Sequence, residues 1–526
     1  AAELPPAEAY RRAMELMWNY ELEPARQLLE PWRRLRLWHA GAYAECACLR
    51  VVLTGRRCEA AAALELVQAA EALGDGGGRG LAQQVVRAEL LLLRSGLQAL
   101  LGARLRAAFN LRQCWCAYRR LERHLAEEPA RGPGAGAAEG AREEAGEALL
   151  TAGDLRGRLC FGLGLFYLAA SLLPAGLCQL ARLAGFVTHR CLGKAYLGEC
   201  AERGLGPRAT LAAIALAVYH LDIEPDVGRA GELLVASLGQ RPENVLLHWA
   251  GSLLAWRNTC IAEAVGMTSK ALWCCGEEIA GQAVFLRYEL GMFHFMAMDW
   301  AEARRHLRFV HAAAASGGVF FPYRTIVTTQ AAAAAFSLGL QEEGEALCRE
   351  CAALQEPLGG LRLEADFAEL LQLFLRRRAA GRGLLALEVL YLLRQLPRVP
   401  QRTLLEMRGC LGARLEAAPA APAAAEEAVE RAGAEVLSCV VLFYLGDPEQ
   451  AMGLVPGLAR RCAGLPRWCA YLAAHGLYWC GRVLALSARP AEAARCLRQA
   501  RAYKKYPFNI QGKICKVLEE LEAAGK

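Results

Sequence analysis

Alternating runs of valine, isoleucine and threonine are missing from this chain, although 55% of its 526 residues are apolar. A half-buried strand needs that alternation, so a sequence dominated by alanine and leucine reads as helix. Charge of one sign is nowhere concentrated either: Lys+Arg 61 stand against Asp+Glu 54, and the net +7 is spread along the chain. The densest basic pieces, Arg33-Arg34-x-Arg36 and Arg376-Arg377-Arg378, are short. A nucleic-acid binder gathers its cations on one face, so no nucleic-acid partner is expected and both runs read as solvated helix surface. Residues 1–15, AAELPPAEAYRRAME, lack the apolar core of a signal peptide. The 21 cysteines, an odd number scattered through apolar helix, suit a reducing compartment and a cytoplasmic location.

The signatures of catalysis are missing as well. The chain has no G-x-S-x-G elbow, no G-x-x-x-x-G-K-S/T loop and no H-E-x-x-H, and Gly162-x-Gly164 lacks the third glycine of a dinucleotide fingerprint. Cys348-x-x-Cys351 has no second CxxC to complete four zinc ligands, and His294, His306 and His311 do not follow it at finger spacing. Cys46-x-Cys48, Cys114-x-Cys116 and Cys274-Cys275 read as packing residues on helices. No catalytic residue, cofactor or metal is therefore assigned, and the chain is expected not to be an enzyme.

What the chain does have is a recurring small residue. Ala25/Leu29, Ala60/Leu64, Ala230/Leu234, Ala303/Leu307, Ala451/Val455 and Ala493/Leu497 share the spacing Ala-x-x-x-large. Twelve positions before four of these alanines stand Cys48, Gly291, Cys439 and Gly481. Small residues on two antiparallel helices let their backbones approach, and the large residue one turn on fills the neighbouring groove. The steps from Ala25 to Ala60 and from Ala230 to Ala264 match the tetratricopeptide period of 34 residues, while the steps through Ala303 and Ala346 are longer. The expectation is an all-α solenoid of degenerate tetratricopeptide-like hairpins.

Gly, Pro and acidic clusters interrupt the pattern. They divide the chain into an N-terminal helical block at 8–128, a flexible linker at 129–150, central repeats at 151–415, a linker at 416–428 and C-terminal repeats at 429–526. Within the central block, Leu159 to Ala181 carries no charge and is long enough to span a bilayer. Gly162, Gly164 and Pro174 interrupt it, so 159–186 is read as an apolar helical hairpin buried in the solenoid, with membrane contact the competing reading. Trp249, Trp256, Trp273, Trp300, Phe293 and Phe295 crowd one region and read mainly as filling between helices.

Two stretches resemble the tetratricopeptide repeat protein 39 family, which has fungal relatives linked to inclusion-body clearance and the outer mitochondrial membrane. The first is Ala25-Arg26-Gln27-Leu28-Leu29-Glu30-Pro31-Trp32, followed by Leu37-Trp38-His39-Ala40-Gly41-Ala42-Tyr43. The second is Phe161-Gly162-Leu163-Gly164-Leu165-Phe166, leading to Ser171-Leu172-Leu173-Pro174 and then Gly185-Phe186. The resemblance implies a helical repeat protein that acts through protein contacts, with family links to lipid handling and protein quality control. The composite reading is a non-enzymatic adaptor that binds protein partners on a concave helical surface. The alternative is a protein held at an organelle or lipid-droplet membrane by residues 159–181.

Overall fold

A computed structural model describes residues 4–74, 80–127, 152–173, 179, 185–204, 206–352, 362–375, 382–417 and 425–524. Among the described residues there are helices and one isolated bridge, Arg56 with Val319, but no strand. The chain is an α-solenoid built from antiparallel helix pairs, divided into two compact units. The first comprises residues 1–258, 262–286 and 317–320; the second comprises 259–261, 287–316 and 321–526.

In the first unit the helices are α1 (Pro6–Trp18), α2 (Leu22–Leu29), α3 (Leu37–Thr54), α4 (Arg57–Gly74), α5 (Leu81–Leu100) and α6 (Arg104–Glu127). After residues 128–151 come α7 (Ala152–Ser171), α8 (Arg190–Glu202), α9 (Ala209–Asp222), α10 (Val227–Gln240), α11 (Val245–Arg257), α12 (Ile261–Cys274) and α13 (Gly276–Ala280). The remaining helices are α14 (Val284–Met296), α15 (Trp300–Ala315), α16 (Arg324–Ser337), α17 (Gln341–Ala352), α18 (Arg362–Leu375), α19 (Leu385–Leu392) and α20 (Gln401–Ala417). They end with α21 (Ala425–Leu445), α22 (Pro448–Ala463), α23 (Ala470–Leu486), α24 (Pro490–Ala502) and α25 (Gln511–Ala524).

One corner recurs throughout. Tyr20, Gly55, Gly102, Thr259, Met298, Gly339, Gly446 and Ala488 all have positive φ, and each stands two residues before the next helix begins. A left-handed residue ends the first helix of a pair and turns the chain into the second. Five residues after each of these corners stands a small buried residue: Ala25, Ala60, Ala107, Ala264, Ala303, Gly344, Ala451 and Ala493. The sequence pattern picked Ala346 for the sixth of these; the structure places Gly344 there, where an added Cβ would lie 2.4 Å from the Phe336 ring, and leaves Ala346 only half-buried. Asp226, Asn244, Asp299 and Asp447 cap the following helices by accepting a backbone N–H three residues on.

Close approach has a residue-level cause. A Cβ on Gly291 would lie 2.9 Å from Cγ of Leu307, and one on Gly481 would lie 2.6 Å from Cγ of Leu497. Both leucines sit one turn after the alanine anchor of their helix. Ala25, Ala60, Ala230, Ala264, Ala303 and Ala493 are all buried, as are Gly291 and Gly481.

In the first unit the starting hairpin packs against the end of the same unit. Tyr10, Met14, Met17 and Trp18 of α1 share a core with Val245, Ala271, Cys275, Ile279 and Ala283. The fully buried Asn244 donates from Nδ2 to the Trp18 carbonyl at 2.5 Å while its Oδ1 caps α11. The expected boundary at 129–150 falls outside the described residues; α5, α6 and α7 on either side of it contribute to one core through Val85, Trp115, Tyr118, Leu159 and Leu163.

Candidate functional site

Five segments of the first unit each turn one side chain toward a common point. Tyr10 of α1, Glu45 of α3, Glu89 of α5, Arg158 of α7 and Arg208, just before α9, line one small cavity of about 20 Å³. Arg208 donates from Nε to Glu89 at 2.9 Å and from Nη2 to Glu45 at 3.1 Å. Arg158 pairs with the other oxygen of Glu89 and donates to the Tyr10 hydroxyl at 2.8 Å. Burial pushes the Glu89 carboxyl up, but the two guanidiniums outweigh that and hold it below its ordinary value. Two carboxylates thus balance two arginines in a closed interior. This hub is made of the protein's own buried side chains and fastens successive hairpins without offering a cleft to a substrate.

The family motif around residue 162 serves the same core. Gly162 lies under the Tyr118 ring, where a Cβ would meet ring atoms at 2.2 Å. Gly164 and Gly193 face each other across α7 and α8; a Cβ on Gly193 would lie 2.8 Å from the Leu168 backbone nitrogen. Phe161 is half-buried, Leu163 and Phe166 are buried, and Leu172 and Leu173 emerge at the surface. Pro174 and most of the second arm of the expected hairpin (175–178 and 180–184) lie outside the described residues, while at its end the Gly185 carbonyl accepts from Nε1 of Trp115 at 2.8 Å. Among the described residues no helix is long and apolar enough to cross a membrane. In the N-terminal motif Pro31 is exposed, Trp32 stands 6.2 Å from the ring of His39, and the buried His39 bonds through Nε2 to the Pro6 carbonyl at 2.9 Å.

The other singled-out groups separate. Phe293 and Phe295 are fully buried and Trp300 stands edge-on to Phe295 at 5.2 Å, whereas Trp273, in the first unit, is 67% exposed under Lys270. Cys348 and Cys351 are buried, and burial pushes both thiols up to about 12, which leaves them protonated and unreactive at neutral pH.

The surface that sequence reasoning passed over is the outer face of α6. Its exposed positions from 104 to 123 carry Arg104, Arg106, Arg112, Arg119, Arg120 and Arg123, while the one carboxylate of the span, Glu122, is half-buried and pairs with Arg119. Leu105 and Phe109, one turn apart, are 89% and 61% exposed on the same stripe. The opposite side is anchored by Cys114, Trp115, Tyr118 and Leu121. The arginines are scattered from 104 to 123 with uncharged residues between most of them, so they form no long run in the sequence and become a patch only when α6 is wound.

Residues 78–321 match the model of the Iml2/Tetratricopeptide repeat protein 39 family. Among solved structures, the crystal structure of yeast Tom70 aligns at 10% identity over 99% of this chain and 96% of that one, with a TM-score of 0.31. The APC/C hetero-tetramer Cut9-Hcn1 aligns at 13% identity over 98% of this chain and 90% of that one, with a TM-score of 0.25. Both superpositions are loose.

Proposed function

We propose that this chain, which belongs to the Iml2/Tetratricopeptide repeat protein 39 family, is a non-enzymatic scaffold that takes its protein partner on the outer face of α6. The helical-repeat fold is one that serves protein binding through extended surfaces. The observation that carries the choice of face is the stripe in which exposed Leu105 and Phe109 stand among six exposed arginines, with Glu122, the partner of Arg119, the one carboxylate between 104 and 123. That pattern fits an acidic amphipathic segment: its apolar residues would cover Leu105 and Phe109, and its carboxylates would meet the arginine rows. We further propose, on the family resemblance alone, that this scaffold works in lipid handling or protein quality control in the cytoplasm.

The test places a photo-crosslinking amino acid at Leu105 of the full chain in cells, with the exposed Val235 of α10 as control site. Crosslinks to a defined protein at 105 that are absent at 235 and disappear with Arg112→Glu support the reading. Crosslinks at 105 to lipid alone, with flotation of the chain on anionic vesicles, replace it with membrane docking. No crosslink above the control at 105 overturns it.

A further inference from the structure

The second unit contains a cluster that neither the scaffold nor the proposed partner face uses. His294 lies near the end of α14, and Glu302 and His306 stand one turn apart on α15. The corner between them, with Met298 at φ 61°, brings the two imidazoles into a near-parallel stack, centroids 5.9 Å apart and planes 12° apart. One ring nitrogen of each histidine and a carboxylate oxygen of Glu302 all lie within 4.8 Å of one another.

The hydrogen bonds leave each ring one nitrogen with a lone pair. Asp299 accepts from Nδ1 of His294 at 3.0 Å, which leaves the lone pair of that ring on Nε2. Arg305 donates to Nε2 of His306 at 3.0 Å and also pairs with Glu302. A positive group therefore already occupies the space between an imidazole lone pair and a carboxylate. The proton of His306 is placed on Nδ1, a buried nitrogen without a hydrogen-bond partner, so that tautomer depends on a cation at Nε2. The Arg305 side chain is 59% exposed and can swing into solvent.

We propose that His294, His306 and Glu302 form a site for a zinc-class divalent cation that displaces the Arg305 guanidinium and clips α14 to α15. Two imidazoles and one carboxylate suit Zn²⁺ and its neighbours rather than Mg²⁺ or Ca²⁺, which prefer all-oxygen shells. Tetrahedral ligands about 2 Å from the metal stand roughly 3.3 Å apart, so the cluster closes by side-chain rotation. His294 and Glu302 are only partly buried and have room for it. Three protein ligands leave a fourth position for water. Asp299 holds His294 from behind in the manner of the carboxylates that orient metal-bound imidazoles, while its other oxygen caps α15.

The probe is Co²⁺, whose visible absorption separates nitrogen and oxygen ligation from binding to the chain's many thiols, which would add intense thiolate charge-transfer bands. The full chain is titrated alone and as His294→Gln, Glu302→Gln, Asp299→Asn and Arg305→Ala, with circular dichroism as the folding control. One equivalent with d–d bands free of thiolate character is expected. It should weaken at least tenfold in His294→Gln and Glu302→Gln, about tenfold in Asp299→Asn, and tighten at least threefold in Arg305→Ala. Glu302 and Arg305 are partly solvent-exposed, so those two variants remain readable even where a histidine variant misfolds. Absence of such bands, thiolate-type bands only, or an affinity unchanged in Glu302→Gln and Arg305→Ala overturns the site.

Discussion

The Tyr391 hydroxyl bonds to Nδ1 of His475 at 2.7 Å, and the opposite ring nitrogen of His475 meets the Phe508 carbonyl at 3.0 Å. Trp479 donates to the same tyrosine oxygen at 2.8 Å. The carbonyl can only accept, so His475 carries its proton on Nε2 and accepts from Tyr391 on Nδ1. A neutral imidazole satisfies every member of this chain, whereas a second proton on Nδ1 would force the Tyr391 O–H to turn away and lose its own acceptor.

Burial accordingly lowers the His475 pKa to about 4, against an unfolded value near 6.5. The folded state binds the proton less readily, so the contribution of this group is complete above pH 6.5 and is lost as pH falls toward 4. Denaturant unfolding of the full chain followed by tryptophan fluorescence should show His475→Gln losing less stability than the parent over that interval, by about 3 kcal/mol. Parallel pH profiles would refute the assignment.

The hub in the first unit should behave as a coupled set. Arg208→Met removes the partner of Glu45 and half the compensation of Glu89, leaving buried charge uncovered; the loss should be about 3–5 kcal/mol. Replacing Arg158, Glu89, Arg208 and Glu45 together with apolar residues of similar volume should recover most of it, because the desolvation cost goes with the charges. Chemical denaturation of the two variants separates these outcomes.

Glycine replacements should differ by location. Gly193→Ala drives a methyl into the α7 backbone and should cost about 1–3 kcal/mol. Gly453→Ala, inside α22 with no atom within 4 Å of its added Cβ, should stabilise by about 0.5–1 kcal/mol. Thermal unfolding midpoints should move in opposite directions.

The apolar stretch divides in the same way. Leu168 is buried, whereas Leu172 is 40% exposed. Leu168→Arg should leave the chain aggregated or unfolded, and Leu172→Arg should be within about 0.5 kcal/mol of the parent by denaturation. Equal tolerance of both by circular dichroism would argue against a packed α7.

Much of the repeat was legible because its packing rule is local. Ala303 with Leu307, and Gly291 one helix earlier, can be read from spacing alone because helix geometry converts spacing into contact. Gly344 was passed over because glycine inside a helical pattern reads as a breaker, and Ala346 stands two residues away as a competing small residue. The hub was illegible for the opposite reason. Glu45, Glu89, Arg158 and Arg208 look like any other charged residues of their segments, far apart in sequence, and only the stacking order brings them together. His294 and His306 do not fit finger spacing, which assumes a different backbone from a helical corner.

The constant distance from each left-handed corner to the small residue five positions on gives the chain a particular tolerance to change in length. Lengthening a first helix or an inter-hairpin loop leaves that distance untouched, which is how repeats of unequal period coexist in one stack. A single residue inserted inside the five would rotate the rest of the second helix by about 100° and present a polar side chain where the backbones meet. Insertions and deletions among the chain's relatives should therefore accumulate between corners and stop at them, so the corner, not the period, is the heritable unit of this protein.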